Sequence, residues 1–162
     1  MKLYLASSWR NPQQPAVLET LRANGYQVYD FRNPAPGNTG FKWSAIDPEW
    51  KGWNPAEFRA SLFHSVAQDG FDLDFSAMQN ADAGVLLLPS GRSAHIEAGY
   101  FVGANKPLII LLTEPQEPEL MYLMGTVCIS IAEALNALAN ARERLEATQS
   151  SVLSPQTSPL IL

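Results

Sequence analysis

The sequence predicts an α/β domain with a doubly wound, parallel sheet of five strands. Short apolar runs of β-type composition alternate along the chain with stretches of helical spacing, the pattern of a parallel sheet whose crossovers are helices. Two of those runs, residues 83–88 and 107–112, are almost unbroken apolar, as strands covered on both faces must be. The chain is also the size of one domain: 162 residues, 46% of them apolar, are enough to fill a single core.

Residues 2–6 form the first β-type run and end in Ser7-Ser8. Residues 15–24 then place Val17, Leu18 and Leu21 at helical spacing before the stop signal Gly25. Residues 26–31, rich in Tyr and Val, read as a second strand, after which the pattern dissolves into the Pro, Gly and Asn of residues 33–40. The loop that begins there runs to about Asn54 and carries Phe41, Trp43, Trp50 and Trp53. So long a loop in a compact domain is a functional lid or a disordered segment, and four large aromatics argue against disorder.

Asn54 fits an N-cap before Pro55-Ala56-Glu57, with Phe58, Leu62, Phe63 and Val66 as the apolar face of the helix; a second helical stretch follows Gly70. After the central strand, bounded by Asp82 and Pro89, come a helix over 93–104, the strand 107–112 and a short strand over 126–129. A closing helix over 132–148 turns Leu135, Leu138 and Leu145 inward. The domain is therefore placed at 1–148. Residues 149–162, dominated by Ser, Pro, Gln and Thr before Leu160-Ile161-Leu162, read as a flexible C-terminal tail.

A formal net charge of −5 argues against a protein that grips a nucleic acid polymer through many phosphates, and suits a small ligand better. The single cysteine, Cys128, excludes a disulfide framework and a cysteine zinc site and reads as a small core residue. No His, Asp and Glu cluster has metal-ligand spacing, so no metal is expected. With no long apolar run, and with residues 1–5 reading as a strand rather than a signal peptide, a cytoplasmic protein without a membrane partner is the expectation.

Ligands of an open parallel sheet collect beyond the carboxyl ends of its strands. Three segments fall there: Ser7-Ser8-Trp9-Arg10, residues 89–100, and Thr113-Glu114-Pro115. Within the second, Glu97 lies in the first turns of a helix, where the helix N-terminus stabilises a carboxylate that faces the cleft. Position alone favours the plainer reading, a capping glutamate on a solvated first turn. Asp74 reads either as a working carboxyl or as a surface acid beside Asp69 and Asp72, and Tyr4 either as a site hydroxyl or as a core aromatic. His95, two residues from Glu97, points away from it and is a loop or interface residue, while His64 takes an exposed or edge position.

Three stretches together carry a resemblance over most of the chain: Tyr4-Leu5-Ala6-Ser7-Ser8-Trp9, residues 74–82, and His95-Ile96-Glu97-Ala98-Gly99-Tyr100 followed by Ala104-Asn105-Lys106-Pro107. In order and spacing they resemble the nucleoside 2-deoxyribosyltransferase family. The resemblance implies a flavodoxin-like single domain that acts on a nucleoside or nucleotide without a cofactor. It implies Glu97 as the nucleophile, Asp74 as the residue that binds the nucleobase, and Tyr4 as the hydroxyl that holds the nucleophile in place. Those residue types suit the chemistry. Breaking an N-glycosidic bond builds oxocarbenium character at C1′, which a carboxylate stabilises and then traps as a glycosyl ester. The leaving base meanwhile needs a proton or hydrogen bond, which a carboxyl can supply.

One departure matters. The transferases carry an aspartate for the sugar hydroxyls about six positions before the nucleophile, and this chain has Ser90-Gly91-Arg92-Ser93 there, with no acid. The nucleoside-monophosphate N-glycosidase branch of the family has small hydroxyl residues in that place. It uses them with a Ser-x-Arg after the first strand to hold a 5′-phosphate, an element that Ser8-Trp9-Arg10 resembles. Ser90, Gly91, Arg92 and Ser93 at a helix start are good anion chemistry, although Arg92 also fits a solvated loop.

Glu119 stands where the family puts an amide or hydroxyl that reaches a neighbouring subunit. The Glu119-Leu120-Met121 segment is thus the expected contact of a homodimer or higher homo-oligomer, with Glu119 and Met121 counted as substrate contacts. Trp43 of the aromatic loop is expected to stack on the base; the alternative is an apolar patch sealing the sheet edge or a subunit contact. Hydrolase and transferase both remain open, as does the rival reading of a non-catalytic nucleotide-binding or sensing module.

Overall fold

A computed structural model describes residues 1–153 of the chain. Five strands, β1 (Lys2–Ala6), β2 (Gln27–Tyr29), β3 (Ala83–Leu87), β4 (Leu108–Leu111) and β5 (Thr126–Cys128), form one parallel sheet in the order β2-β1-β3-β4-β5. The crossovers are α1 (Gln14–Ala23), α2 (Pro55–Ser61), α3 (Ser65–Asn80) and α4 (Arg92–Gly103), and α5 (Ile131–Leu153) closes the described chain. This is the flavodoxin-like, doubly wound arrangement expected of the sequence. Its strand order reverses between β1 and β3, the place where ligands of such sheets collect.

The two faces of the sheet sort by parity, because successive residues of a strand point to opposite sides. Leu3, Leu5, Val85, Leu87, Ile109 and Leu111 pack with Val17, Leu18 and Leu21 of α1 and Leu138 of α5. Tyr4, Ala6, Leu86, Leu88 and Ile110 pack on the other face with Met78 of α3 and Ala94, Ala98 and Phe101 of α4. Tyr4 therefore faces the same layer as the helices that carry Asp74 and Glu97. Its register partner on β3 is Gly84, and a Cβ there would meet the Phe101 ring at 2.6 Å. The missing side chain lets Phe101 pack flat against the strand, 6.0 Å from the Tyr4 ring centroid.

Three local expectations are corrected. The second strand is shorter than residues 26–31, since Tyr26 is buried just before it and the chain leaves the sheet at Asp30, whose carboxylate accepts from Gln14 Nε2 at 3.0 Å. The helix from Pro55 has the expected Asn54 cap, with a complete capping box through Glu57. It stops at Ser61, however, and its apolar residues do not face the core; Phe63 is 77% exposed. His64 starts the next helix as N-cap, its Nδ1 accepting from Val66 N–H at 3.2 Å. That helix runs straight through Gly70, because the loop's Phe41 lies against it there: a Cβ on Gly70 would stand 2.9 Å from the Phe41 Cβ. The last helix continues to Leu153, past the expected end at residue 148, and the remainder of the expected tail lies outside the described residues.

Lys106 fastens the site-bearing helix from below. Its ammonium donates to the carbonyls of Met78, Gln79 and Ala81 at 3.2, 2.6 and 2.7 Å, satisfying the end of α3 where orphan carbonyls and the helix dipole favour a cation.

Candidate active site

Glu97 occupies the stripe of α4 that faces the sheet. Ala94 and Phe101, three and four residues from it, and the adjacent Ala98 are all buried, so the half-buried Glu97 side chain points inward rather than capping a solvated turn. Asp74 approaches from α3, also half-buried. Tyr4 on β1 stands opposite Tyr29 on β2 in strand register, and the two rings stack with centroids 5.5 Å apart and planes 15° from parallel. The Tyr29 hydroxyl donates to Asp74 Oδ1 at 2.8 Å. The ring of Phe75, next to Asp74, meets Tyr100 of α4 edge-on at 5.6 Å, closing the two helices over this cluster.

The electrostatics follow from putting acids in a partly dry place. Burial, then the charge of Asp74, push the Glu97 carboxyl up to about 7, against a smaller opposing pull from the Tyr4 hydroxyl. Burial also raises Asp74, and the hydrogen bond from Tyr29 opposes that rise. Tyr4 is held far above the ordinary phenol range, first by burial and then by Glu97 and Asp74. Its hydroxyl is close enough to Glu97 to favour the carboxylate, yet no hydrogen bond of good geometry forms, and the buried oxygen has no partner among the described residues. Two acids so placed titrate as a coupled pair.

Two loops flank the cluster and are tied to each other. Ser7 Oγ donates to the Leu87 carbonyl at 3.1 Å, and Asn11 Nδ2 donates to that of Pro89 at 3.1 Å. Arg32, which the sequence did not single out, donates through one guanidinium nitrogen to the carbonyls of Ser8, Trp9 and Asn11, each at 3.0 Å. The first loop is thus shaped from behind, while Arg10 is exposed and the Ser8 hydroxyl accepts from Arg10 N–H. In the second loop Ser90 Oγ is buried with no partner among the described residues. Gly91 begins α4 without any side-chain cap, and Arg92 and Ser93 are exposed. The first N–H groups of α4 are therefore open to an anion.

With that geometry in view, comparison with solved structures finds the 2-deoxyribosyltransferase of Bacillus psychrosaccharolyticus, at TM-score 0.59 and 17% identity over 83% of this chain and 90% of that one. The chain has that enzyme's fold. A conserved protein from Enterococcus faecalis matches at TM-score 0.54 and 14% identity, over 89% of this chain and 98% of its own. The CMP N-glycosidase of Clostridium botulinum matches at TM-score 0.45 and 18% identity, over 86% and 99%. No family model matches the chain, and no curated protein matches it in sequence.

The remaining predicted residues stand outside the carboxyl cluster. Trp43 is taken up by an aromatic group of the loop itself, meeting Phe41, Trp53 and Phe58 edge-on at 4.7, 5.6 and 5.7 Å. Phe41 is the ring that reaches α3, at Gly70, one helical turn before Asp74. Trp9 lies under the same loop at Gly40, whose φ of 77° only glycine adopts freely and where a Cβ would stand 2.8 Å from the indole. Glu119 and Met121 are exposed on a 3-10 turn, Leu120–Met124, that His95 ties to the start of α4. The His95 Nδ1 donates to the Gly91 carbonyl at 2.8 Å, its Nε2 is 2.9 Å from the Tyr122 hydroxyl, and the rings of His95 and Tyr122 stack.

A concavity of about 490 Å³ opens among residues 33–39, and one of about 410 Å³ lies around Lys106, Gly125 and Arg144; neither is lined by the carboxyl pair. Among the described residues no three of His, Cys, Asp and Glu gather as a metal site would need, and no helix is long and apolar enough to cross a membrane.

Proposed function

We propose that the protein breaks the N-glycosidic bond of a nucleoside or nucleoside 5′-monophosphate through a glycosyl ester on Glu97. The observation that carries this reading is the convergence of Glu97 from α4 and Asp74 from α3 beside Tyr4 of β1, with both carboxyls raised. An ionised Glu97 oxygen attacks C1′ as the bond from C1′ to the base nitrogen breaks. The electron pair of that bond stays on the base, which takes a proton from Asp74. Attack on C1′ by water, or by the nitrogen of a second base, then displaces the Glu97 carboxylate, and the attacking group gives its proton to the Asp74 carboxylate. Tyr4 orients Glu97 from the strand below.

Within that class the phosphorylated substrate is the better match. No acid stands before Glu97 to hold sugar hydroxyls, while the uncapped start of α4 and the unpartnered Ser90 hydroxyl suit a 5′-phosphate, with Arg92 exposed on the first turn of α4 and Arg10 exposed in the loop after β1. The test is a panel of nucleosides and 5′-monophosphates, with and without an acceptor base, read as free base by chromatography. The expected result is release from monophosphates without acceptor. Exchange that requires an acceptor would make the protein a transferase, and silence across the panel would defeat the enzymatic reading in favour of a binding module.

The same reading includes self-association. Ile96 beside Glu97, Leu120, Met121 and Leu123 on the turn, and Val127 and Ile129 at the sheet edge are all exposed, and His95 and Tyr122 join the first two sets into one face. A second copy is the occupant we assign to it, since it would cover this apolar surface beside the site. Light scattering is expected to give at least a dimer, and Leu123→Asp, at a residue 84% exposed, is expected to shift it towards monomer. A monomeric wild type at tens of micromolar protein would refute the assignment.

A further inference from the structure

Tyr29 is the residue of the cluster whose role the glycosidic reading does not supply. It ends β2, in register with Tyr4, and its ring is clamped by stacking on the Tyr4 ring at 5.5 Å and 15°. A ring fixed in that way has one direction for its hydroxyl, and that direction is Asp74 Oδ1 at 2.8 Å. A phenol that donates to a carboxyl oxygen stabilises the charged form of that group. Glu97, facing Asp74, receives no comparable bond from Tyr4, whose hydroxyl has no partner of good geometry.

We propose that Tyr29 is a positioning residue of the carboxyl pair: its hydroxyl makes Asp74, rather than Glu97, the anion of the empty site and leaves only the second Asp74 oxygen for the nucleobase. This rests on the glycosidic reading and adds a gate to it. Attack needs the opposite arrangement, with Glu97 bare and the proton on the Asp74 side. The exchange moves one proton and no net charge: Glu97 goes from acid to carboxylate as Asp74 goes from carboxylate to acid. A base that accepts a hydrogen bond from Asp74 favours the exchanged form. Without one, Glu97 keeps its proton and the nucleophile is quiet. The groups that face the pair are Tyr4 from β1, Tyr29 from β2, Asp74 from α3 and Glu97 from α4, with Asp30 acting on Tyr29 from the loop after β2.

The test is a carboxyl carbon NMR titration of the full chain without substrate, comparing wild type with Tyr29→Phe, which keeps the stacked ring and deletes only the donor. The Asp74 midpoint is expected to rise by about one pH unit, tenfold in its ionisation constant. Glu97, relieved of a facing anion, is expected to titrate lower than in the wild type. In the Asp74→Asn background, Tyr29→Phe is expected to leave Glu97 where that background puts it, because the coupling runs through the Asp74 charge. Unchanged midpoints in the single variant, or a Glu97 shift that persists in the Asp74→Asn background, would overturn the assignment.

Base release supplies an independent readout. With an active substrate, the alkaline limb of kcat/KM is expected to move to higher pH in Tyr29→Phe, since the proton is held longer on the Asp74 side. A limb that stays in place also overturns the role. Wild-type protein that releases no base from any substrate defeats the glycosidic reading, while the NMR midpoints still decide the role of Tyr29.

Discussion

Glu97→Ala is expected to lower base release at least about a thousandfold, a loss of roughly 4 kcal/mol of transition-state stabilisation, while leaving the fold intact. The size follows from the position of the side chain. The inward stripe of α4 offers no second acid, since its neighbours there are Ala94, Ala98 and Phe101. Asp74 is engaged by Tyr29 on the other helix. Removing Glu97 therefore removes both the charge that meets the oxocarbenium centre and the atom that traps it, and no other side chain of the cluster is placed to do either. The fold should tolerate the change, because what is lost is a half-buried acid held in an unfavourable setting rather than a packed apolar group.

Two measurements check this. Free base from the most active substrate is compared between wild type and variant. Rapid acid quench followed by intact-protein mass is expected to show a glycosyl adduct on the wild type alone. A variant within tenfold of wild type would end the assignment of Glu97 as nucleophile. A variant that still binds the nucleotide but releases nothing, beside an active wild type, would separate catalysis from sensing.

How far the sequence could be read depended on the range of the interactions involved. The strand and helix alternation was legible because burial on both faces leaves continuous apolar runs at β3 and β4 and a period-2 sorting at β1. The inward row of α4 was legible only in part: spacing puts Glu97 with Ala94 and Phe101, but nothing in a single sequence says that this stripe, and not the one carrying Ile96, faces the sheet. The same limit misplaced Phe58, Leu62, Phe63 and Val66. Their spacing is helical, but periodicity records an apolar face without recording what covers it, and in one chain they are exposed.

Tyr29 was illegible for a different reason. It enters the site through the parallel register of a three-residue strand against Tyr4, a relation between residues 25 apart that no local pattern encodes. Arg32 is similar. Its three bonds all go to main-chain oxygens, which carry no sequence signal at their own positions.

Glu97→Gln should do something to stability that few active-site changes do: raise it, and raise it more as the solution becomes more alkaline. The Glu97 carboxyl is pushed from its ordinary value of 4.5 up to about 7 in the folded chain, with burial as the first cause and the Asp74 charge as the second. Its folded value is therefore above its unfolded one. Between those two values the folded chain holds a proton that the unfolded chain has lost, so stability falls as pH rises through the window and is recovered below it. Above pH 8 the full cost of a buried carboxylate is present, on the order of 3 kcal/mol. Glutamine has nearly the same shape and no charge.

The variant should accordingly melt well above wild type at pH 8, and the two curves should converge below pH 4.5, where the glutamate becomes protonated in both states. Denaturant unfolding across that range checks the claim, and a difference that is flat with pH would contradict the raised carboxyl. The direction is also what distinguishes a working site from a structural one. A carboxylate kept for packing or for an ion pair loses stability when neutralised, whereas Glu97 is acted on by a like charge and, among the described residues, by no cation. An arrangement that costs the fold at the pH where it must be ionised is the expected mark of a group retained for reaction.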